Sequence, residues 1–278
     1  MPTRSAFFIS DRTGITAQSV GQSLLSQFPD IDFQVHWLPF VDTPAKVEEA
    51  LKQIQQMHQQ EKVPPIVIST VVEDNLRQAL SQCEGVFIDI FQTFIGPLEG
   101  ALGMKSQHAV GVAHGIQNND AYFKRIEAVN FALQNDDGMN IKAFGQAEII
   151  LLGVSRSGKT PTCLYLALQQ GILAANYPLL WDDLQTGQLP ELLKPYKDKL
   201  FALTIDPRRL QHIRQTRRPN SQYAAYNQCV KEVQMAEQMY TLEKIPYLNT
   251  TNTSIEEIAS RIRLLLIPET PMVSGEDL

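Results

Sequence analysis

The sequence predicts an α/β protein with a parallel α/β domain at its N-terminus and a second α/β domain behind it. Three observations carry this expectation. Short runs rich in Val, Ile and Phe alternate with segments whose apolar residues recur every three or four positions. The alternation breaks once, between residues 106 and 146, where Gly, His and Asn cluster ahead of a helical pattern. It then resumes with a glycine-rich segment lodged between a strand pattern and a helix pattern. The expected division is therefore 1–105, a helical join over 106–146, a second domain over 147–267, and a loose tail over 268–278.

In the first domain, buried strands are expected at 6–10, 33–41, 66–72 and 86–91. The first helix should turn Ile15, Val20, Leu24 and Phe28 inward. The second should start at Thr43-Pro44, an N-cap followed by proline at N1, and bury Val47, Ala50, Leu51 and Ile54. Strands fed through helices form a mainly parallel sheet covered on its faces. In the join, a helix capped by Asp120 should carry an apolar stripe of Phe123, Ile126, Val129 and Leu133, followed by Asp136-Asp137-Gly138 as a turn. In the second domain, strands are expected at 149–152, 172–176, 201–205 and 246–249, with helices at 160–169, 207–217 and 222–240. A last helix should start from a Ser254-to-Glu257 capping box and bury Ile255, Ile258, Ile262 and Leu265.

Bulk composition narrows the function. The net charge of −6 leaves no basic surplus for tracking a nucleic-acid backbone, so no nucleic-acid partner is expected. No run of 18 uncharged apolar residues occurs and the N-terminus has no secretory apolar core, so neither membrane nor export is expected. Cys83, Cys163 and Cys229 form no CxxC pair and no zinc-finger spacing, which fits a reducing cytoplasm.

The chemistry concentrates in Gly153-Val154-Ser155-Arg156-Ser157-Gly158-Lys159-Thr160, which satisfies G-x-x-x-x-G-K-[ST] directly after a strand and before a helix. Glycines let successive N–H groups and the helix N-terminus face phosphate oxygens. Lys159 supplies charge there, and Thr160 can ligate Mg²⁺. The second domain therefore reads as a P-loop kinase-like, nucleotide-binding unit. Asp206 ends a strand, where it can serve the metal, or it can simply cap the helix that Pro207 opens. Asp182 and Asp183 lie where a base for an acceptor hydroxyl can sit, and equally read as loop carboxylates. Arg208, Arg209, Arg214, Arg217 and Arg218 read either as a phosphate-clamping lid or as a solvated helix face. Asn249-Thr250-Thr251-Asn252 is either an adenine edge or a polar loop. In the first domain, Ser10-Asp11-Arg12-Thr13-Gly14 stands at the carboxyl end of a strand, a position suited to a ligand or to a helix cap. His108 and His114 read as surface histidines in the join. The candidate catalytic residues are thus Lys159, Asp206, Asp183 and Asp11. Gly153 to Thr160 is the candidate nucleotide site, and Thr160 with Asp206 is the candidate metal pair.

Five segments taken together resemble one family, the phosphoenolpyruvate synthase regulatory proteins, sister to the pyruvate, phosphate dikinase regulatory proteins. They are FFISDRTGITAQ from Phe7, YFKRIEAVNFALQNDDG from Tyr122, EIILLGVSRSGKTPTCLYLALQQGILAANYPL from Glu148, FALTIDPRRLQHIRQTRR from Phe201 and NTTNTSIEEIA from Asn249. The resemblance implies a cytoplasmic, homodimeric, bifunctional enzyme. It would phosphorylate a threonine of phosphoenolpyruvate synthase with ADP as donor, and would reverse this with inorganic phosphate, releasing pyrophosphate. ADP would occupy Gly153 to Thr160. Arg12, Gln18 and Asn135 stand where the family commonly has glycine, glutamate and histidine. Two other readings fit the second domain alone: an ATP-dependent small-molecule kinase, and a nucleotide-sensing adaptor without catalysis.

Overall fold

The computed structural model describes residues 2–106 and 119–266. His108, His114 and the tail from Pro268 lie outside the described residues, as does the side chain of Asp120. The chain divides into two compact units, Met1–Gly115 and Ile116–Leu278.

The first unit holds strands β1 (Thr3–Ile9), β2 (Asp32–Leu38), β3 (Ile66–Ser69) and β4 (Val86–Asp89). All pair in parallel in the order β2-β1-β3-β4. Between them run helices α1 (Ile15–Leu25), α2 (Pro44–Glu61) and α3 (Asp74–Leu80), and α4 (Ile90–Leu102) follows β4. Helix α2 behaves as its sequence requires. The Thr43 hydroxyl accepts from the Lys46 amide, Pro44 opens the first turn, and Val47, Ala50 and Ile54 are buried.

Helix α1 does not follow its apolar stripe. Ile15, Leu24 and Phe28 are exposed, whereas Ala17 and Gly21 are buried. The reason is the distance of approach: a Cβ on Gly21 would fall 2.4 Å from the ring of Phe8, itself fully buried in β1. The helix lies so close to the sheet that small residues make the closest contact; of the expected stripe Val20 packs partly buried against the core, as does Leu25, while Ile15, Leu24 and Phe28 are left outside.

The second unit repeats the layout. Strands β5 (Ile149–Val154), β6 (Ala174–Leu179), β7 (Leu200–Thr204) and β8 (Tyr247–Asn249) form a parallel sheet in the order β6-β5-β7-β8. Its helices are α5 (Asn119–Gln134), α6 (Lys159–Tyr165, continued by a π-helical turn over Leu166–Gln170), α7 (Trp181–Thr186), α8 (Pro207–Arg217), α9 (Tyr226–Glu243) and α10 (Ile255–Leu266). Residues 119–146, expected as a join, instead pack into this unit. Ala128 and Ala132 of α5 sit in one core layer with Cys163 and Leu166, while Phe131 and Phe144 enter the other. The stripe expected on α5 faces outward at Phe123, Ile126 and Leu133. As in α1, alanines make the close contact. Helix α10 buries Ile258, Ala259 and Ile262, while Leu265 stays exposed; the Ser254 hydroxyl accepts from the Glu257 amide.

Both sheets have their first and third strands side by side at the centre, with the connections leaving to opposite faces. This is the arrangement that opens a crevice beyond the strand ends. In the first unit that point lies between the ends of β1 and β3, and in the second between those of β5 and β7.

Gly21→Ala should destabilise the first unit by about 1–3 kcal/mol despite the better helix propensity of alanine, because the added methyl overpacks Phe8. Chemical denaturation measures it.

Candidate functional site

Strand β5 is buried along its whole length, flanked by β6 and β7, so the turn that follows it opens at the crevice. The chain passes through Ser155 to Gly158 and enters α6 at Lys159. Gly158 adopts φ 97, a conformation L side chains rarely take, and Arg156 stands at φ 77. The Ser157 amide donates back to the Val154 carbonyl at 3.2 Å. A Cβ on Gly153 would meet the Leu203 carbonyl oxygen at 2.6 Å, so β7 leaves room there for glycine alone. The loop predicted from the motif is therefore built as a tight curl with its backbone drawn inward.

Lys159 is 4% exposed, and its ammonium donates to the carbonyls of Gly153 and Val154, both at 3.0 Å. Burial pulls its pKa down to about 8, while Asp137 and, more weakly, Asp136 act in the opposite direction. Behind it, burial pushes the Cys163 thiol up to about 12, leaving it a neutral packing group whose sulfur lies 3.4 Å from the Ala175 carbonyl.

Thr160 points its hydroxyl at Asp136, Oγ1 to Oδ1 at 2.8 Å. The same carboxylate oxygen accepts from Asn176 Nδ2 at 2.6 Å, and the Asp137 amide donates to Asn176 Oδ1 at 3.1 Å. Asn176 is fully buried on β6, so it clamps the Asp136-Asp137 turn beside the loop. Asp137, Ser155, Arg156, Gly158, Lys159, Thr160 and Pro161 line a cavity of about 250 Å³. That is smaller than the roughly 300–1,000 Å³ of sites that enclose a whole small ligand, and suits phosphoryl groups more than a complete nucleotide.

The other candidates fall elsewhere. Asp206 caps α8, its Oδ1 accepting from the amides of Arg208 and Arg209 at 2.9 and 3.0 Å, and its own amide donates to Thr251 Oγ1 at 2.8 Å. It stands at the end of β7, next to β5, but does not line the cavity. Asp183 accepts from the Leu180 amide at 2.9 Å and from the Tyr177 hydroxyl at 3.4 Å, the work of a helix cap. Asp11 lies in the first unit, where its Oδ2 accepts from the Val72 amide at 3.0 Å and so ties the end of β1 to the segment after β3. Of the five arginines, Arg208, Arg209, Arg217 and Arg218 are exposed, while Arg214 is fully buried. Thr250 reaches the loop from the end of β8, its hydroxyl 3.1 Å from the Ser157 carbonyl.

Sequence reasoning missed Asp136, Asp137 and Asn176. The first two read as a turn because Asp-Asp-Gly is turn chemistry, and a turn is what they form, with Asp137 at φ 49. Their place at the loop comes from the pairing of β5 with β6, and nothing in their own neighbourhood signals it. Asn135, where the resemblance implies histidine, is fully buried and donates to the Phe131 carbonyl at 2.8 Å.

The depressed pKa of Lys159 gives a proton-linked binding signature. Without a ligand the amine loses its proton as pH rises through about 8. A bound diphosphate favours the charged form and raises that pKa. Diphosphate or ADP binding should therefore take up a proton between pH 8 and the raised value, and affinity should fall with rising pH in that window. Calorimetry in buffers of different ionisation enthalpy measures the uptake.

A family model described as Kinase/pyrophosphorylase matches residues 6–263. Among curated relatives, a protein of Hahella chejuensis is 50% identical over 94% of this chain and 96% of its own. Others from Marinobacter nauticus and Pseudomonas aeruginosa are 49% and 51% identical over 93% of this chain, covering 96% and 94% of theirs. Each bears the name "Putative phosphoenolpyruvate synthase regulatory protein". With the match spanning residues of both units, the loop from Gly153 to Thr160 among them, the chain belongs to the kinase/pyrophosphorylase family.

Proposed function

We propose that this chain is a bifunctional regulator of phosphoenolpyruvate synthase. In one direction it transfers the β-phosphoryl group of ADP to a threonine hydroxyl of that enzyme, giving phosphothreonine, AMP and a proton. In the other, inorganic phosphate attacks the phosphothreonine phosphorus, giving pyrophosphate and the free hydroxyl. The observation that carries this reading is the cavity at Gly153 to Thr160. It has the size and lining for a diphosphate, and a diphosphate is the unit common to both directions: it enters as part of ADP and leaves as pyrophosphate. A single site serves both reactions.

In this mechanism the loop amides and Lys159 bind the diphosphate, the ammonium exchanging its two carbonyl partners for phosphate oxygens. Exposed Arg156 approaches the transferring group from the loop rim. Mg²⁺ usually keeps several waters and takes few protein oxygens besides phosphate, so the Thr160 hydroxyl with the Asp136 carboxylate 2.8 Å away is a fitting donor set. Bound there, the ion would screen charge developing between the phosphoryl groups. Asp206, capping α8 at the end of the neighbouring strand, adds a second carboxylate on the β7 side. Asp137 is exposed in the cavity lining and is assigned to orient and deprotonate the threonine hydroxyl. Asp183 and Asp11 are less suited, since each already holds a backbone amide. The same reading places the protein in the cytoplasm beside its target, as a homodimer.

Lys159→Ala should lower both directions by roughly 10²–10³-fold, and Asp136→Asn by about 10–100-fold, with the fold retained. Incubation of the chain with the synthase and β-labelled ADP, followed by mass spectrometry of the synthase, tests the reading. Phosphothreonine carrying the label supports it. Transfer from the γ-position of ATP to a small molecule would establish a small-molecule kinase instead, and stoichiometric inhibition without phosphothreonine an adaptor. Loss of only one direction in Lys159→Ala would refute the single site.

A further inference from the structure

In a trans peptide the C=O and the following N–H point in opposite directions, so fixing a carbonyl also aims the next amide. Four carbonyls of the phosphate-binding loop have partners that fix them. Gly153 and Val154 are held by Lys159, and Ser157 lies against the Thr250 hydroxyl. The carbonyl of Ser155, at the start of the curl, is held by Arg214 Nη2 at 3.1 Å.

Arg214 belongs to α8, 59 positions along the chain from Ser155, and is fully buried. Its Nη2 also donates to Glu232 Oε2 of α9 at 2.6 Å, and its Nη1 to the Tyr223 carbonyl at 3.0 Å. The guanidinium carbon lies 4.1 Å from the centre of the Tyr223 ring. The hydroxyl of that tyrosine is 2.8 Å from Ser155 Oγ. Ser155 is thus gripped twice, by its carbonyl and by its side chain, from one stacked pair. Burying a guanidinium costs several kcal/mol unless it is paired. Glu232 neutralises the charge, but a Glu–Arg pair alone would not require the fork to reach a loop carbonyl.

We propose that Arg214 and Tyr223 are positioning residues for the phosphate-binding loop, aiming the Arg156 amide by fixing the Ser155 peptide. This deepens the proposed function and rests on its reading of the loop as the diphosphate site. It also divides the arginines of α8: the exposed ones are available to a partner, whereas Arg214 acts inward on the loop. Lysine cannot replace it, because a single ammonium lacks the planar fork that reaches Ser155, Tyr223 and Glu232 together.

The test uses the full chain and three variants. Tyr223→Phe removes one hydroxyl from a partly exposed ring and leaves the buried pair intact. Arg214→Lys keeps the charge and loses the fork. Glu232→Gln keeps an acceptor for Arg214 and removes the countercharge. Hydrogen–deuterium exchange over residues 153–158, without ligand, should rise in Tyr223→Phe and more in Arg214→Lys, with the remaining strands of the sheet unchanged. Glu232→Gln should lower Tm with little change confined to the loop. With ADP, the first two variants should show a KM raised about 3–10-fold and kcat nearly retained, as for binding equal in ground and transition states. Wild-type loop exchange in both Tyr223→Phe and Arg214→Lys would overturn the proposal. So would loop effects in all three variants that merely track Tm. If the unmodified chain binds neither ADP nor pyrophosphate, the reading of the loop falls, while the ligand-free exchange comparison still decides the role of Arg214 and Tyr223.

Discussion

The ammonium of Lys159 sits almost entirely out of water, and among the described residues its hydrogen-bond partners are backbone carbonyls. A buried cation in that state must be surrounded by oxygen or lose its proton, and the pKa of about 8 shows how far burial has moved it towards the second outcome. The carbonyls of Gly153 and Val154 supply the oxygen, which they can do only if the chain curls back over the start of α6. That curl requires the left-handed backbone at Gly158, the absence of a side chain at Gly153, and a fully buried β5 from which to launch the loop. The Asp136-Asp137 turn adds negative potential from the side. In the proposed function a diphosphate takes over the role of the two carbonyls, so the ammonium is held in place before the ligand arrives.

The two units share the sheet order and differ in what stands at the crevice. After β1 the chain reads Arg12-Thr13-Gly14-Ile15-Thr16, and after β5 it reads Arg156-Ser157-Gly158-Lys159-Thr160. Both turns place a left-handed glycine ahead of a helix. In the first, an exposed isoleucine occupies the place of the lysine, and Asp11 faces the Val72 amide. The backbone solution is the same, but the buried ammonium after the glycine is found in the second unit.

Packing followed contact distance more than hydrophobicity. In α1 and α5 the closest contacts to the sheet are made by Ala17, Gly21, Ala128 and Ala132; Phe131 enters the core beside them, Val20, Leu25 and Val129 are partly buried, and Ile15, Leu24, Phe123, Ile126 and Leu133 remain outside. Apolar periodicity located both helices but misjudged their inward faces, because a stripe of large residues carries more hydrophobic weight than the small ones that permit close approach. Helix α2, packed at a distance that admits Val47 and Ile54, was read correctly for the same reason.

What the sequence determined by itself is local. The glycine loop from Gly153 to Thr160 is a run of consecutive residues between a strand and a helix, and the caps at Thr43 and Asp206 lie within three positions of the amides they serve. The tertiary structure decided which carboxylates share the cavity. Asp136 is 24 positions from Thr160 and 40 from Asn176, and these meet because β5 and β6 are neighbours in the sheet. It also decided that Arg214 turns inward, since that depends on the Ser155 carbonyl and a countercharge on α9, far apart along the chain. Side-chain partners fixed by the order of strands cannot be read from spacing along the chain.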